Sequence, residues 1–262
     1  MTASTRLTLL TRIGFATRGL LYIVIALLVI RTGRSEDTSG ALRYLGQGGG
    51  QILLGIMAAG LIAYGLWRLA DAAFDIEHHG TDRKGALERA GAGISGVVHL
   101  LLAWQAIQLM RGTASASDGT QDGAQAALAL PGGQAILIAA GLILLAVGVV
   151  QLIKAAKGSF LRYLEPQIAS QAWARWSGRA GYAARGVVFL ISSVFILRAG
   201  LEQRASEAGG TAAALSWLTS PVDIIIAIGL FAFGLFSLIE ARFRQLHDVP
   251  IDRIVAGATG GR

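Results

Sequence analysis

The chain has 262 residues, of which 53% are hydrophobic and 15% charged, with 35 glycines, no cysteine and a formal net charge of +7. Soluble domains average about 45–50% apolar and about 25% charged residues, so this balance excludes a disordered chain and points to a membrane protein. The missing cysteines exclude a disulfide scaffold, a thiolate metal site and a cysteine nucleophile.

Six apolar runs follow in chain order, over residues 13–30, 52–74, 90–110, 134–153, 182–197 and 222–241. A helix needs about 20 apolar residues to cross a hydrocarbon layer of about 30 Å. The fourth and sixth runs are the cleanest, since 136–150 and 224–239 carry no charge. Six such runs leave too little polar surface for a soluble core. Lipid favours helices, because backbone groups must pair internally, and the alternation of a membrane barrel is absent. Arg6 and Arg12 ahead of the first run resemble a secretory leader, but no small-x-small pattern closes it, so it reads as a retained span. The expected fold class is all-α, a polytopic membrane protein with six transmembrane helices.

The runs repeat in pairs. Three segments open alike, as Arg12-x-Gly14-x-x-x-Arg18-Gly19, Arg89-x-Gly91-x-x-x-Ser95-Gly96 and Arg179-x-Gly181-x-x-x-Arg185-Gly186. Their second helices align through Ala63-Tyr64-Gly65, Ala146-Val147-Gly148 and Ala232-Phe233-Gly234, and a charge follows each at Asp71, Lys154 and Glu240. The units are 12–77, 89–157 and 179–244 within one membrane domain, 1–262. Two spans per unit restore the starting side, so the repetition is parallel. Packing around a pseudo-threefold axis and an irregular bundle both satisfy this pattern.

This opening, paired with a second span and present three times, resembles the bacterial membrane family of unknown function DUF1206. The resemblance runs from Arg12 to about Arg244. It implies paired transmembrane helices in three copies and assigns no catalytic residue. The middle unit departs from the pattern, with Ser95 in place of the second arginine and Lys154 where the others carry acids.

Basic residues near span ends set orientation. Most of the 23 Lys and Arg fall on the N-terminal side, in the second and fourth connections and in the tail. The opposite side holds Arg31, Arg34, Arg43, Arg111, Arg198 and Arg204. Both termini are expected in the cytoplasm, with the protein in the inner (cell) membrane and its basic side against anionic headgroups. Nucleic acid is not an expected partner, because no basic run or aromatic platform occurs. The outer connections each carry a small apolar cluster, around Leu42, Leu128 and Leu215, expected as short helices at the outer interface with Tyr44 and Trp217 at headgroup level. The fourth connection, with Phe160, Tyr163, Trp173 and Trp176, reads as an amphipathic segment on the membrane.

Glycines recur five residues apart at Gly14/Gly19, Gly91/Gly96, Gly181/Gly186, Gly60/Gly65 and Gly229/Gly234, and Gly148 aligns with Gly65 and Gly234. Five helical steps turn about 140°, so the two members of a pair face different neighbours. Close helix packing is the plain reading, and bare backbone along a permeation path the sharper one. Arg18 and Arg185 either snorkel to headgroups or pair with acids on the second helix of their own unit, Arg18 with Asp71 and Arg185 with Glu240. His99 lies near mid-depth and is expected to hydrogen-bond to Gln105 or Gln151, or to handle a proton or cation. His78 and His79 beside Glu77 read as solvated. No catalytic motif is visible, and no cofactor or metal is implied.

These residues suggest a channel or transporter for a small ion or solute. The alternative is a structural or partner-binding membrane protein, whose partner would be another membrane protein or a second copy. A membrane enzyme is disfavoured by the missing site chemistry.

Overall fold

The computed structural model describes residues 3–32, 41–42, 44, 51–80, 82–112 and 119–245. Six long helices carry the architecture: α1 (Ala3–Thr32), α2 (Gln51–Phe74), α3 (Arg83–Met110), α4 (Gly133–Lys157), α5 (Ala172–Glu202) and α6 (Val222–Phe243). All six are long and apolar enough to cross a bilayer. Among the described residues there is no strand, only an isolated bridge between Leu164 and Arg244.

Local chemistry sets several helix ends. Asp82 caps α3 by accepting from the Gly85 N–H at 2.7 Å. Gly158 ends α4 in the left-handed region, at φ 67°, and its N–H closes on the Lys154 carbonyl at 2.9 Å. Between α2 and α3 the carboxylate of Asp75 accepts from the N–H groups of His79 and Gly80, folding that connection back on itself. α1 and α5 begin at Ala3 and Ala172, two to three turns ahead of the apolar runs that start at 13 and 182.

Three helix pairs form the frame, α2 on α3, α4 on α5 and α6 on α1. Each joins the second helix of one unit to the first helix of the next, and the third unit wraps round to the first. The crossings are alike. A Cβ built on Gly19 would lie 2.8 Å from the Gly234 carbonyl, one on Gly96 2.9 Å from that of Gly65, and one on Gly186 3.1 Å from that of Gly148. Ile23, Leu100 and Leu190 fill the equivalent position against Gly234, Gly65 and Gly148. The small residues let backbones touch, which is how helices gain contact in lipid.

Within a unit the picture is uneven. α1 packs on α2 and α5 on α6, while α3 and α4 share at most a marginal contact. A Cβ on Gly14 would lie 2.5 Å from the Cβ of Tyr64, and one on Gly181 2.5 Å from the Cα of Phe233, but one on Gly91 would meet nothing within 4 Å. The cause lies one turn further on. Thr17 meets Gly60, and Ala184 meets Gly229, at contacts where a Cβ on the glycine would come within 2.8 and 2.5 Å of the partner's Cβ. The middle unit has Ile94 and Ile143 at these two positions, and both are exposed. Two isoleucines cannot enter a contact that a glycine and a small residue make. The face of α4 carrying Ile143 and Val150 is therefore open (47% and 46% exposed), whereas Tyr64, Trp67, Phe233 and Phe236 on the equivalent faces are buried.

The main core gathers Leu21 and Ile25 of α1, Leu54, Met57 and Leu61 of α2, Val188 of α5 and Leu230 of α6. Leu42 and Leu215, expected at the outer interface, are buried in this core and close that end of the bundle, leaving Tyr44 and Trp217 exposed. Short helices occur at Gly119–Leu128 and Thr211–Trp217; the glycine run 46–50 lies outside the described residues. The fourth connection does not rest wholly on a surface: Phe160 and Leu164 tuck against Phe236 and Ala174, and Trp173 and Trp176 stay exposed.

Candidate functional site

The three crossings assemble one set of positions in each interface. The first helix supplies Arg18, Ser95 or Arg185, the residue before the crossing glycine. The preceding unit's second helix supplies Ser237 and Glu240, Arg68 and Asp71, or Gln151 and Lys154, three and six residues past its glycine.

At the α6–α1 crossing, Arg18 Nε donates to Ser237 Oγ at 3.1 Å, and its terminal nitrogens reach Glu240 at 2.5 Å and the Tyr64 hydroxyl at 2.8 Å. The other oxygen of Glu240 receives Arg244 at 2.5 Å, and Arg244 also reaches Glu77 at 2.5 Å. The alternating row Arg18–Glu240–Arg244–Glu77 ties α1, α6, the segment after α6 and the α2–α3 connection together. Arg18, Glu240 and Arg244 are buried, and each has an opposite charge, as buried ions require. The guanidinium of Arg244 also lies over the rings of Tyr163, Phe15 and Trp67, at 4.2, 4.8 and 5.5 Å. Burial alone would push the Glu77 carboxyl up; the adjoining Arg244 outweighs it and holds that carboxyl below the usual range.

At the α2–α3 crossing the cation comes from α2 itself. Arg68 reaches Asp71 at 3.2 Å, and the same oxygen lies 3.2 Å from His79 Nε2. The other oxygen of Asp71 accepts the Glu77 N–H at 2.9 Å. His79 Nδ1 stands 2.7 Å from Glu88, which also receives Arg162 at 3.0 Å. His79 is therefore not solvated as expected, because the turn at Asp75 folds it inward. A pocket of about 370 Å³ opens beside this network, lined by residues that include Trp67, Glu77, His79, Glu88 and Arg162. Asp71, Glu77 and His79 place ligand-type atoms within 4.8 Å of one another, but Arg68 and Arg244 already neutralise the two carboxylates.

The α4–α5 crossing is the exception. It carries Arg185 and Lys154, and among the described residues neither has an acid within ion-pair distance. The buried Nε of Arg185 has no hydrogen-bond partner there. Its guanidinium lies over Phe233, Phe189 and Tyr22, at 4.3, 4.9 and 5.2 Å.

The expected pairing is thus exchanged. Arg18 pairs with Glu240 rather than Asp71, Asp71 with Arg68 and His79, and Arg185 with no acid among the described residues. The reason is connectivity: each second helix crosses the next unit's first helix, so its acid meets the following arginine and not its own. Arg68 and Arg244 were not picked out by sequence, and His79 beside Glu77 was read as solvated. The spacing of Glu240 and Arg244, i and i+4 on a helix, was the available signal for one of them.

His99 hydrogen-bonds within its own helix. Its Nδ1 lies 2.7 Å from the Ser95 carbonyl, which can only accept, so Nδ1 donates; the ring stands 4.4 Å from that of Tyr64. His99 and Gln105 belong to α3 and the buried Gln151 to α4, the two helices that do not pack, so helix packing does not bring the three together.

A family model described as Domain of Unknown Function (DUF1206) matches residues 13–75, 90–158 and 180–244. The chain belongs to this family. Each matched segment holds one pair of long helices, α1–α2, α3–α4 or α5–α6. The chain is similar to the Uncharacterized protein YxxB of Bacillus subtilis (strain 168), at 28% identity over 250 residues and 90% of each chain. No solved structure matches it.

Proposed function

We propose that this protein binds a membrane-dissolved amphiphile sideways, in the cleft between α3 and α4, and does not conduct ions through an axial pore. The observation that carries this reading is that one hairpin of three stands open. Both ends of the bundle oppose an axial path: Leu42 and Leu215 fill one end, and the buried Arg18–Glu240–Arg244–Glu77 row with Phe15 and Trp67 fills the other. The cleft has apolar flanks at Ile94, Ile143 and Val150. The charged end faces the cytoplasm of the inner membrane, following the distribution of Lys and Arg. If the bound molecule is moved between leaflets, the protein is a transporter whose cargo enters from lipid.

The chain lacks cysteine, so a nitroxide attached at a cysteine in place of Val147 is unique. In vesicles it is expected to be relaxed by oxygen, which dissolves in lipid, as readily as one at exposed Leu142. Vesicles holding the protein are expected to pass no more potassium, sodium or chloride than empty ones. A nitroxide at Val147 shielded from oxygen, or a clear ion flux, would overturn the reading.

A further inference from the structure

The three interfacial sites differ in one respect that the fold does not demand. The α6–α1 site holds a cation and an acid, Arg18 and Glu240. The α2–α3 site also holds both, as Arg68 and Asp71. The α4–α5 site has lysine where the others have acids and keeps its arginine, so two cations occupy the position of an ion pair. Among the charges around Lys154, the carboxylate of Glu88 acts most strongly, opposed by Arg68, Arg162 and Arg185. Glu88 is already shared between His79 and Arg162.

Uncompensated cations inside a membrane protein are costly and mark a site by default. Here Lys154 sits on α4, one wall of the open cleft, and Arg185 on α5, the helix packed against that wall. Lys154 lies in the last turn of α4, on the same face as Ile143 and Val150, which are exposed, and the half-buried Val147. The exposed part of that strip is apolar and the Lys154 end of it is cationic. That is the outline of one molecule with an acyl chain and an anionic head. Basic recesses between transmembrane helices bind such headgroups.

We propose that the α3–α4 cleft holds one phospholipid of net negative charge, with its phosphate on Lys154 and Arg185 and an acyl chain along Ile94, Ile143 and Val150. This rests on the reading of the cleft given above and adds the headgroup. The anion supplies the charge that Asp71 and Glu240 supply at the other two crossings. Arg185 Nε, buried and without a hydrogen-bond partner among the described residues, gains an acceptor.

The test uses the full chain in detergent, titrated with phosphatidylglycerol or phosphatidylcholine and read by native mass spectrometry as lipid retained per chain. One phosphatidylglycerol is expected to be retained at least ten-fold more tightly than phosphatidylcholine. Lys154→Glu recreates the cation–acid pair of the α6–α1 crossing, so the preference should fall to within two-fold while the helix content by circular dichroism is unchanged. Arg185→Lys should keep most of the preference, and Arg185→Ser should lose it. Ile94→Ala with Ile143→Gly closes the cleft and should lower retention of both lipids alike. Equal retention of the two lipids by the parent chain, or a preference that survives both Lys154→Glu and Arg185→Ser, would overturn the headgroup assignment alone. Retention of both lipids unaffected by closing the cleft would overturn the cleft itself. Displacement of phosphatidylglycerol by millimolar inorganic phosphate would make this a small-anion site and also refute the proposal.

Discussion

Glu240 is the residue on which the charged end turns. It is 2% exposed and lies between two guanidinium groups, each at 2.5 Å. In Glu240→Gln the side chain keeps its volume and loses its charge, leaving Arg18 and Arg244 facing each other with no acid between them. Breaking a buried pair costs about 3–5 kcal/mol. Arg244 retains Glu77, and Arg18 retains Ser237 and Tyr64, so the lower end, about 3 kcal/mol, is expected. Unfolding in mixed micelles with rising sodium dodecyl sulfate, followed by circular dichroism, measures it. The cycle of Arg18→Gln with Glu240→Gln should show a coupling of about 1–3 kcal/mol, whereas Arg18→Gln with Asp71→Asn should add within about 0.5 kcal/mol. A loss under about 1 kcal/mol for Glu240→Gln, or coupling of Arg18 to Asp71 instead of Glu240, would refute the exchanged pairing.

Three further outcomes follow from the same geometry. Gly14→Ala and Gly181→Ala press a methyl group into Tyr64 and Phe233 and should each cost about 1–3 kcal/mol, while Gly91→Ala meets open space and should be neutral or stabilising in the same assay. The Glu77 carboxyl has its folded pKa lowered, so its contribution is complete above the unfolded value of about 4.3 and fades as pH falls through the lower folded value; Glu77→Gln should flatten the thermal midpoint across that acid range. Ile94→Ala with Ile143→Gly should let α3 and α4 meet as α1 meets α2, and thiol cross-links between labelled α3 and α4 should then form where the parent chain gives none. An unchanged cross-linking pattern would mean that the two isoleucines do not hold the hairpin open.

The helices and their threefold repetition were legible because lipid imposes long apolar runs and because glycine is needed wherever two backbones touch. Gly19, Gly96 and Gly186 show this directly, each closing on its counterpart in another unit. The middle unit was marked as different by Ser95 and Lys154, yet the residues that open it, Ile94 and Ile143, are ordinary membrane residues and read as such. Their meaning appears only when they are set opposite Thr17–Gly60 and Ala184–Gly229. The ion pairs were assigned within hairpins because sequence gives the order of helices and not which neighbour each crosses. His79 was read as solvated, and Arg244 was not picked out, for a related reason, since a connection's fold, set here by Asp75 and by the Leu164–Arg244 bridge, decides whether its charges meet water.

Distances across the three hairpins put the account to its plainest trial. Nitroxide pairs at the equivalent exposed positions Leu27 and Ala59, Trp104 and Leu142, and Val194 and Ile228 can be read by pulsed electron resonance in vesicles, with no native thiol to compete. The 104–142 pair should be clearly longer than the other two, which should agree with each other. Three equal separations would show a closed middle hairpin and contradict the account.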